Sequence, residues 1–381
     1  MKTVYITTMI VISLFILASC TPQPATTPTP FSSGTTPRPS PTATSPSVSP
    51  QDIAWNKVVE AAKKEGLVTI YAFYYSGDIG RSMARAFQDR CGIRVEILAS
   101  AGRQTVEKVK VEQAVKQPVA DVVNAGVSSA TELSLAGLGE KVWQDLPSAR
   151  DKSVFLIDPV YSPTGDVLFS SAAMVTPAIN TRLVKPGEEP KSYKDFLDPK
   201  WKGNLLGLDP RGGGGALFNA ISTMKFFKVL DDDYWRRLAP NLTMFGGSQQ
   251  EQYRMVGRGE YQVALPGSHS AVAPLIAEGA PLKLLDMEEG VVAQGESTMV
   301  IKGAPHPNAA RLFVDWVMSA EGQETYARAA STDSIRKGVP SYMIPAANLK
   351  PKKIINRTWE AAEAGNEYLK SGVMEQIFGR K

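Results

Sequence analysis

The sequence predicts an α/β fold in two domains, and two observations indicate it. From Gln51 onward the composition is globular, and about 330 residues are more than one hydrophobic core usually serves. Within this body, short apolar segments alternate with amphipathic ones in the order strand, loop, helix. That alternation is typical of a largely parallel sheet with helices on both faces.

The N-terminus is expected to be a processing signal. Lys2 precedes an apolar stretch, Val4 to Ala18, that is shorter than the roughly 20 residues of a membrane span, so residues 1–19 are predicted to be a signal peptide. Leu17-Ala18-Ser19-Cys20 matches the bacterial lipoprotein box, in which the Cys20 thiol takes a lipid. The alternative is an ordinary signal peptide in which Cys20 is incidental.

Residues 20–51 are predicted to be a lipidated cysteine followed by a disordered tether. Thr21 to Pro50 holds nine of the 27 prolines, many Ser and Thr, and a single charge, Arg38. Such a segment buries too little apolar surface to offset the entropy lost on ordering. We therefore expect it to space the folded body from a membrane surface.

Charge and cysteine content exclude several classes of function. Residues 1–50 carry two basic and no acidic side chains, so the body has 40 basic and 38 acidic residues. This balance argues against a nucleic-acid partner, which needs a basic surface. Only Cys91 follows Cys20, so neither an internal disulfide nor a cysteine metal cluster is expected. We predict no cofactor.

The elements follow from apolar periodicity and from capping residues. Asp52 caps the first helix and Gly66 ends it. The predicted strands are Leu67–Phe73, Arg94–Leu98, Val119–Val123, Asn204–Leu208 and Tyr261–Leu265. The predicted helices are Asp52–Glu65, Asp78–Gln88, Gly102–Lys116, Ser128–Leu135, the short Ser192–Leu197, one from Ala216, one ending near Val256, Ala309–Met318 and Trp359–Phe378.

Ligands of open parallel sheets bind outside the carboxyl ends of the strands. In the first half this rule selects three loops, whose candidate ligand-binding residues are Tyr74, Tyr75, Ser76, Ser100, Gly102, Arg103, Gln104 and Asn124. Successive residues of a strand point to opposite faces, so only one of the two tyrosines is expected to line the site. We favour Tyr75, with the other ring in the core.

A glycine run marks the second half. After the strand ending at Leu208, Asp209-Pro210-Arg211 and four glycines open onto the helix from Ala216. Free backbone N–H groups and the helix dipole at such a junction favour a carboxylate or phosphate. The alternative is a flexible connector. Candidate ligand residues here are Arg211, Gly213, Gly214 and Gly215; the two later loops add Ser248, Gln249, Ser268 and His269.

Two stretches carry a resemblance to a known family. The first consists of Pro190, Ser192, Tyr193, Asp195, Leu197, Pro199, Trp201, Lys202 and Gly203; the second of Ser297–Pro305, Ala309–Trp316 and Glu321-Gly322-Gln323. With them the chain resembles extracellular solute-binding proteins of ABC importers. The similar branch contains ferric-iron-binding proteins and relatives for organic and phosphorylated solutes. The resemblance extends from Ile53 to about Tyr342.

The resemblance implies a two-lobed, type 2 periplasmic-binding-protein fold. Each lobe would hold a mostly parallel sheet flanked by helices. The extended segments Val167–Asn180 and Glu296–Ile301 would cross between the lobes as a hinge. Lobe one would comprise residues 52–171 and 296–340, and lobe two residues 172–295 and 341–381, with the C-terminal helix packed on lobe two.

One stretch of the sequence departs from the iron-binding branch, and this departure changes the ligand that we expect. In the iron-binding branch an adjacent tyrosine pair follows the strand that matches Tyr261–Leu265, but this chain has Pro266-Gly267-Ser268-His269-Ser270 there. Ferric ion prefers clustered phenolates, so the missing pair argues against its direct binding. Ser268, Ser270 and a helix N-terminus suit an anion instead.

We therefore predict a lipid-anchored, extracytoplasmic, monomeric binding protein that delivers a small polar, anionic or phosphorylated solute to ABC permease subunits. Ferric iron or an iron chelate is the first alternative. A second is an enzyme, which the lack of a nucleophile–base motif disfavours. A third is a sensory module that presents the solute to a receptor.

Overall fold

The computed structural model describes residues 50–379, apart from residues 76, 101, 214 and 344–348, within one compact unit. The predicted signal peptide, Cys20 and nearly all of the predicted tether lie outside the described residues, as do Ser76 and Gly214. In the described ranges, no helix combines the length and the apolar character needed to cross a membrane.

The described residues form one mixed sheet with helices around it. The strands are β1 Leu67–Ala72, β2 Arg94–Ala99, β3 Val122–Gly126, β4 Leu168–Asn180, β5 Leu205–Leu208, β6 Leu242–Phe245, β7 Val263–Ser268, β8 Leu282–Leu284, β9 Val291–Val300 and β10 Ile354–Asn356. The α-helices are α1 Pro50–Glu65, α2 Gly77–Cys91, α3 Gly102–Ala114, α4 Val127–Leu135, α5 Ala216–Phe226, α6 Asp232–Leu238, α7 Gln249–Arg258, α8 His269–Ala277, α9 Pro307–Met318, α10 Ala320–Ala330, α11 Trp359–Lys370 and α12 Val373–Phe378. Short 3₁₀ helices lie at Lys152–Val154, Tyr193–Leu197, Pro199–Trp201, Pro210–Gly212 and Ala239–Asn241.

The sheet consists of two parallel groups joined by an antiparallel pair. Its order is β2-β1-β3-β9-β4-β7-β5-β6, with β10 against β9 and β8 against β4. Strands β2, β1 and β3 are parallel, as are β7, β5 and β6. Between these groups β9 and β4 run antiparallel. The carboxyl ends of each parallel group therefore present one set of loops.

The strands β4 and β9 pass from one hydrophobic core to another. Leu168 and Val300 belong to the core around β1, whereas Val175 and Val292 belong to the core around β5 and α5. This is the arrangement expected of two crossing hinge strands, although β9 begins earlier than predicted, at Val291. The lobe boundaries near residues 171 and 296 stay a prediction.

Several predicted elements have different boundaries; the strand predicted at Val119–Val123, for example, is β3 at Val122–Gly126. Two of the differences have identifiable reasons. The strand predicted to end at Leu265 continues to Ser268, because Gly267 and Ser268 pair with Thr176 and Val175 of β4. The C-terminal helix is interrupted at Gly372, whose φ of 71° is the left-handed conformation that glycine tolerates best.

The C-terminal segment contacts more of the molecule than predicted. Helix α11 packs against both α4 and α5. Trp359 at its start joins the core that contains Val123 and Tyr161, whereas α12 inserts Met374 into the core around α5. The segment therefore bridges the two core regions rather than packing on the second alone.

Candidate functional site

A cavity of about 480 Å³ lies where the loops of the two parallel groups meet. Nine predicted ligand-binding residues line it: Tyr74, Gly102, Arg103, Gln104, Gly213, Gly215, Ser248, Gln249 and Ser268. Nine further residues complete the wall: Phe73, Leu208, Asp209, Gly212, Ala216, Phe245, Gly246, Gly247 and Gln294. We refer to this cavity as the cleft.

Two helices begin at the cleft wall without a side-chain cap. Gly215, the N-cap of α5, has no side chain, and the hydroxyl of Ser268, the N-cap of α8, accepts from no backbone N–H of its helix. Ser248 differs, because its hydroxyl accepts from the Glu251 N–H and so caps α7. The first turns of α5 and α8 therefore retain N–H groups that favour an anion.

Charge at the cleft is carried by one exposed arginine and one paired aspartate. Arg103 is 63% exposed at its side chain, with its nearest carboxylate, that of Glu107, 4.0 Å away. Asp209 instead holds Arg211 through two hydrogen bonds of 2.8 Å. Arg103 is thus the arginine able to turn toward a ligand.

The two adjacent tyrosines have opposite environments, and the preference for Tyr75 was wrong. Tyr74 lines the cleft and meets the Phe73 ring edge-on at 4.9 Å. Tyr75 lies in the apolar core, 5.6 Å from the Tyr326 ring. Burial, with the negative potential of Glu296, raises the pKa of Tyr74 far above its ordinary value, so the phenol is neutral.

Four other predicted residues do not line the cleft. Ser100 is half-buried and does not line the cleft. The Asn124 side chain is buried and accepts from the N–H groups of Tyr74 and Tyr75, at 3.1 and 3.2 Å. Asn124 therefore shapes the loop that presents Tyr74 rather than facing the cleft.

Arg211 and His269 are committed to other contacts. Besides Asp209, Arg211 donates to the Gly379 carbonyl at 2.9 Å. The Nδ1 atom of His269 accepts from the Met174 N–H, and its Nε2 atom lies 3.1 Å from the Thr332 hydroxyl. Burial lowers the pKa of His269 to about 4, so the ring is neutral.

His269 instead lines a second cavity, of about 710 Å³. Its wall also includes Tyr161, Arg357 and Trp359. Gln294 lines both this cavity and the cleft. The second cavity is larger than the cleft and includes His269, the first residue of α8, but none of the residues at the start of α5.

Nine wall residues were not among the predicted ligand-binding residues, and Phe73, Phe245 and Gln294 are among these nine. Phe73 and Phe245 stand at the carboxyl ends of β1 and β6, so the strand-end rule would have selected them had apolar residues been considered. Gln294 lies inside β9, where no sequence signal marks it.

The donor set of the cleft is poor for a bare ferric ion. Its wall holds one tyrosine, kept neutral, and one carboxylate, already paired with Arg211. Among the residues that the structure describes, no cluster of three or more His, Cys, Asp or Glu side chains could hold a metal. Neutral donors, helix ends and aromatic faces predominate instead.

Comparisons with known proteins agree with this architecture. The model of the bacterial extracellular solute-binding protein family matches residues 82–351. An uncharacterized protein of Haemophilus influenzae is 27% identical over an alignment of 318 residues, and the match covers 79% of this chain and 87% of that protein.

Two solved structures are similar at low identity. AfuA from Actinobacillus pleuropneumoniae, a periplasmic binding protein with exogenous fructose-6-phosphate bound, has a TM-score of 0.70 at 22% identity, covering 82% of this chain and 97% of its own. Iron-bound HitA from Pseudomonas aeruginosa has a TM-score of 0.70 at 23% identity, covering 82% and 99%. These likenesses confirm the predicted type 2 periplasmic-binding-protein fold.

Proposed function

We propose, from the premise that this chain belongs to the bacterial extracellular solute-binding protein family, that its cleft captures a small phosphorylated or otherwise anionic organic solute for an ABC importer. The observation that carries this proposal is the convergence of Arg103 with the uncapped starts of α5 and α8 on one cavity. Capture of this kind requires binding alone, without bond making.

The energetics favour a ligand that bridges the cleft. One exposed helix end contributes about 0.3–1 kcal/mol toward holding a charge. A charge-assisted hydrogen bond adds about 1.5–3 kcal/mol. Gly102, Arg103 and Gln104 form the first turn of α3, whereas Gly215 precedes α5 and Ser268 ends β7 in the other parallel group. A solute touching both sides gains all of these contributions together, which is how closure of two lobes becomes favourable.

The shape and lining suit a sugar phosphate. The cleft volume of about 480 Å³ falls within the usual range of small-molecule sites. Phe73, Tyr74 and Phe245 offer apolar faces on which a sugar ring can pack, and the helix ends suit its phosphate. The fructose-6-phosphate bound by AfuA is a ligand of this class.

Ferric iron or its chelate is the competing ligand, because iron-bound HitA is equally similar in fold. The donor set of the cleft disfavours it. Coordination would require the neutral Tyr74 phenol to lose its proton beside Glu296, against the direction in which its surroundings move its pKa.

The proposal includes the location and the partners of the protein. We infer an extracytoplasmic protein, held at the outer face of the membrane through a lipid on Cys20, which passes its solute to permease subunits as a monomer. The sequence supports this through the lipoprotein box and the proline-rich residues that follow it.

Native mass spectrometry of the purified protein, followed by a thermal-shift screen, tests the ligand. The screen would contain fructose-6-phosphate, other sugar phosphates, inorganic phosphate and ferric citrate. A cognate sugar phosphate at a hundredfold excess over its Kd should add about 2.7 kcal/mol of stability. The unphosphorylated sugars serve as controls and should add none.

Two results would contradict the proposal. One is a response to ferric citrate with the visible colour of a phenolate–iron complex and no response to sugar phosphates. The other is equal stabilisation by sugars with and without phosphate, because then the helix ends and Arg103 would play no part in recognition.

A further inference from the structure

Gln294 occupies a special position in the wall of the cleft. It lies in the crossing strand β9, and only 4% of its surface is exposed. Its Oε1 atom accepts a hydrogen bond of 2.7 Å from the Nδ2 atom of Asn219, which lies in α5. A buried amide held by one end presents its other end in a fixed direction.

A chain of hydrogen bonds determines which end of Gln294 is held. Arg357 can only donate, and its guanidinium donates to the Ser128 hydroxyl at 3.0 Å and to the Asn219 backbone carbonyl at 3.2 Å. Ser128 in turn donates to the Asn219 Oδ1 atom at 3.0 Å. The Asn219 Nδ2 atom is therefore the end left to face Gln294.

Along this chain of hydrogen bonds each hydrogen is donated in one direction, from Arg357 through Ser128 and Asn219 to Gln294, which lines the cleft. Since the Gln294 oxygen is used by Asn219, its NH₂ group remains as a donor, and no group in the described part of the chain accepts from it. Arg357, Ser128 and Asn219 are each buried, so water does not compete for these bonds.

We propose that this series of hydrogen bonds makes Gln294 a specificity-determining residue. Gln294 donates its amide N–H to an anionic oxygen of the solute in the cleft. Asn219 is the positioning residue that sets the amide's direction. The inference rests on the proposed function, because it assigns the donor to a phosphorylated or carboxylate ligand of the same site. A carbonyl oxygen in that place would instead repel the anion.

Substitution of Gln294 itself is the first test. Gln294→Met preserves size and removes the donor, and it should weaken fructose-6-phosphate binding about 10- to 100-fold by isothermal titration calorimetry. Gln294→Glu places a carboxylate there and should weaken it further. Inorganic phosphate should follow the same order.

Asn219→Asp tests the direction of the amide without touching the ligand. The new carboxylate still accepts from Ser128 but cannot donate to Gln294, so the Gln294 amide should turn and present its oxygen to the cleft. Anion affinity should fall about tenfold. The melting temperature should stay equal or rise, because the carboxylate lies beside the buried Arg357 cation.

Ser222→Ala is the matched control. Ser222 accepts from the Arg357 guanidinium at 2.8 Å but makes no bond to Asn219's side chain or to Gln294. This variant should lose stability and retain its affinity. If these hydrogen bonds had only a structural role, Asn219→Asp would lower the stability of the protein and leave its affinity for the anion unchanged.

The outcomes separate this inference from the proposed function. If the wild-type protein binds sugar phosphate and the Gln294 and Asn219 variants bind it equally well, the inference is overturned and the function stands. If the wild-type protein binds no anionic probe, the proposed function fails and the inference with it.

Discussion

The side chains that face the cleft are mostly neutral, which makes Arg103 its principal mobile charge. Its guanidinium lies 4.0 Å from Glu107 in a solvent-exposed pair, which contributes little stability. It is therefore able to reorient toward a ligand at small cost. The paired Arg211 is not, because Asp209 and the Gly379 carbonyl hold it.

Arg103→Met should weaken sugar phosphate binding about tenfold and leave stability nearly unchanged, since the lost contact is a charge-assisted hydrogen bond. Calorimetric titration measures the affinity, and the salt dependence of binding should decrease in the variant. Arg85→Met is the control, because Arg85 is an exposed residue of α2 outside the cleft. Equal affinities of the Arg103 variant and the wild type would show that Arg103 does not contact the solute.

The buried carboxyl group of Glu296 makes the stability of the protein depend on pH. It lies buried in β9, and burial raises its pKa to about 7 although Ser171 and Tyr326 donate hydrogen bonds to it. A carboxyl whose pKa is higher in the folded state than its ordinary 4.5 holds a proton that the unfolded chain releases. Its contribution therefore makes stability fall as pH rises from about 4.5 to about 7.

Glu296→Gln should remove that penalty, because the amide stays neutral and its oxygen still accepts from Ser171 and Tyr326. The variant is expected to be more stable than the wild type by about 1–3 kcal/mol at pH 8, and nearly equal at pH 4.5. Urea unfolding at both pH values measures the difference, with the exposed Glu107→Gln as control. A variant less stable than the wild type at pH 8 would contradict the account.

For single residues, the sequence predicts which loops contribute to the cleft, but it does not predict which way a side chain in those loops points. Alternation predicts that Tyr74 and Tyr75 diverge, but which ring enters the core depends on packing against Tyr326, a residue distant in sequence. Gln294 is less predictable still. Its role depends on the contact of β9 with α5, which no local pattern encodes.

Among the elements, the crossing strands β4 and β9 are tightly packed at Gly295. Gly295 in β9 lies under the ring of Phe169 in β4, where a methyl group would come within 1.7 Å of a ring carbon. Because both strands belong to the connection between the two cores, the neighbouring backbone has little freedom to adjust.

Gly295→Ala should therefore destabilise the protein by about 1–3 kcal/mol, the usual cost of overpacking. Thermal and urea unfolding measure the change in the free energy of unfolding. Gly246→Ala is the matched control, since a methyl group there would meet nothing within 4 Å. Similar stability of the two variants would show that the Phe169 ring moves aside easily.

The periodicity of apolar residues predicted most of the helices and strands. The residues at which they end depend on contacts with segments that are distant in the sequence. The glycine loop was predicted as a strand–loop–helix junction, and it is one, with a 3₁₀ turn at Pro210–Gly212 before α5. Pro266 to Ser268 were predicted as loop because their residue types favour turns. Pairing with β4 holds Gly267 and Ser268 in the strand instead.

In the whole molecule, the fold brings together loops from distant parts of the chain. The predicted strand–helix alternation was sufficient to infer parallel groups of strands, and residues that follow their carboxyl ends line the cleft. The bridging position of the C-terminal segment could not be predicted from the sequence. Arg357 contacts α4 and α5, and Trp359 contacts Tyr161, and these contacts form only in the folded protein. Packing at long range is what sequence patterns do not specify.

We propose that the solute binds between the two parallel groups, in the cleft rather than in the second cavity. Hydrogen exchange followed by mass spectrometry, with and without saturating fructose-6-phosphate, tests it most directly. We predict protection together at Gly102–Gln104, Gly215–Ala216 and Ser248–Gln249, with no change around Leu156–Val160 of the second cavity. Protection confined to one of these loops, or centred on Leu156–Val160, would contradict the account.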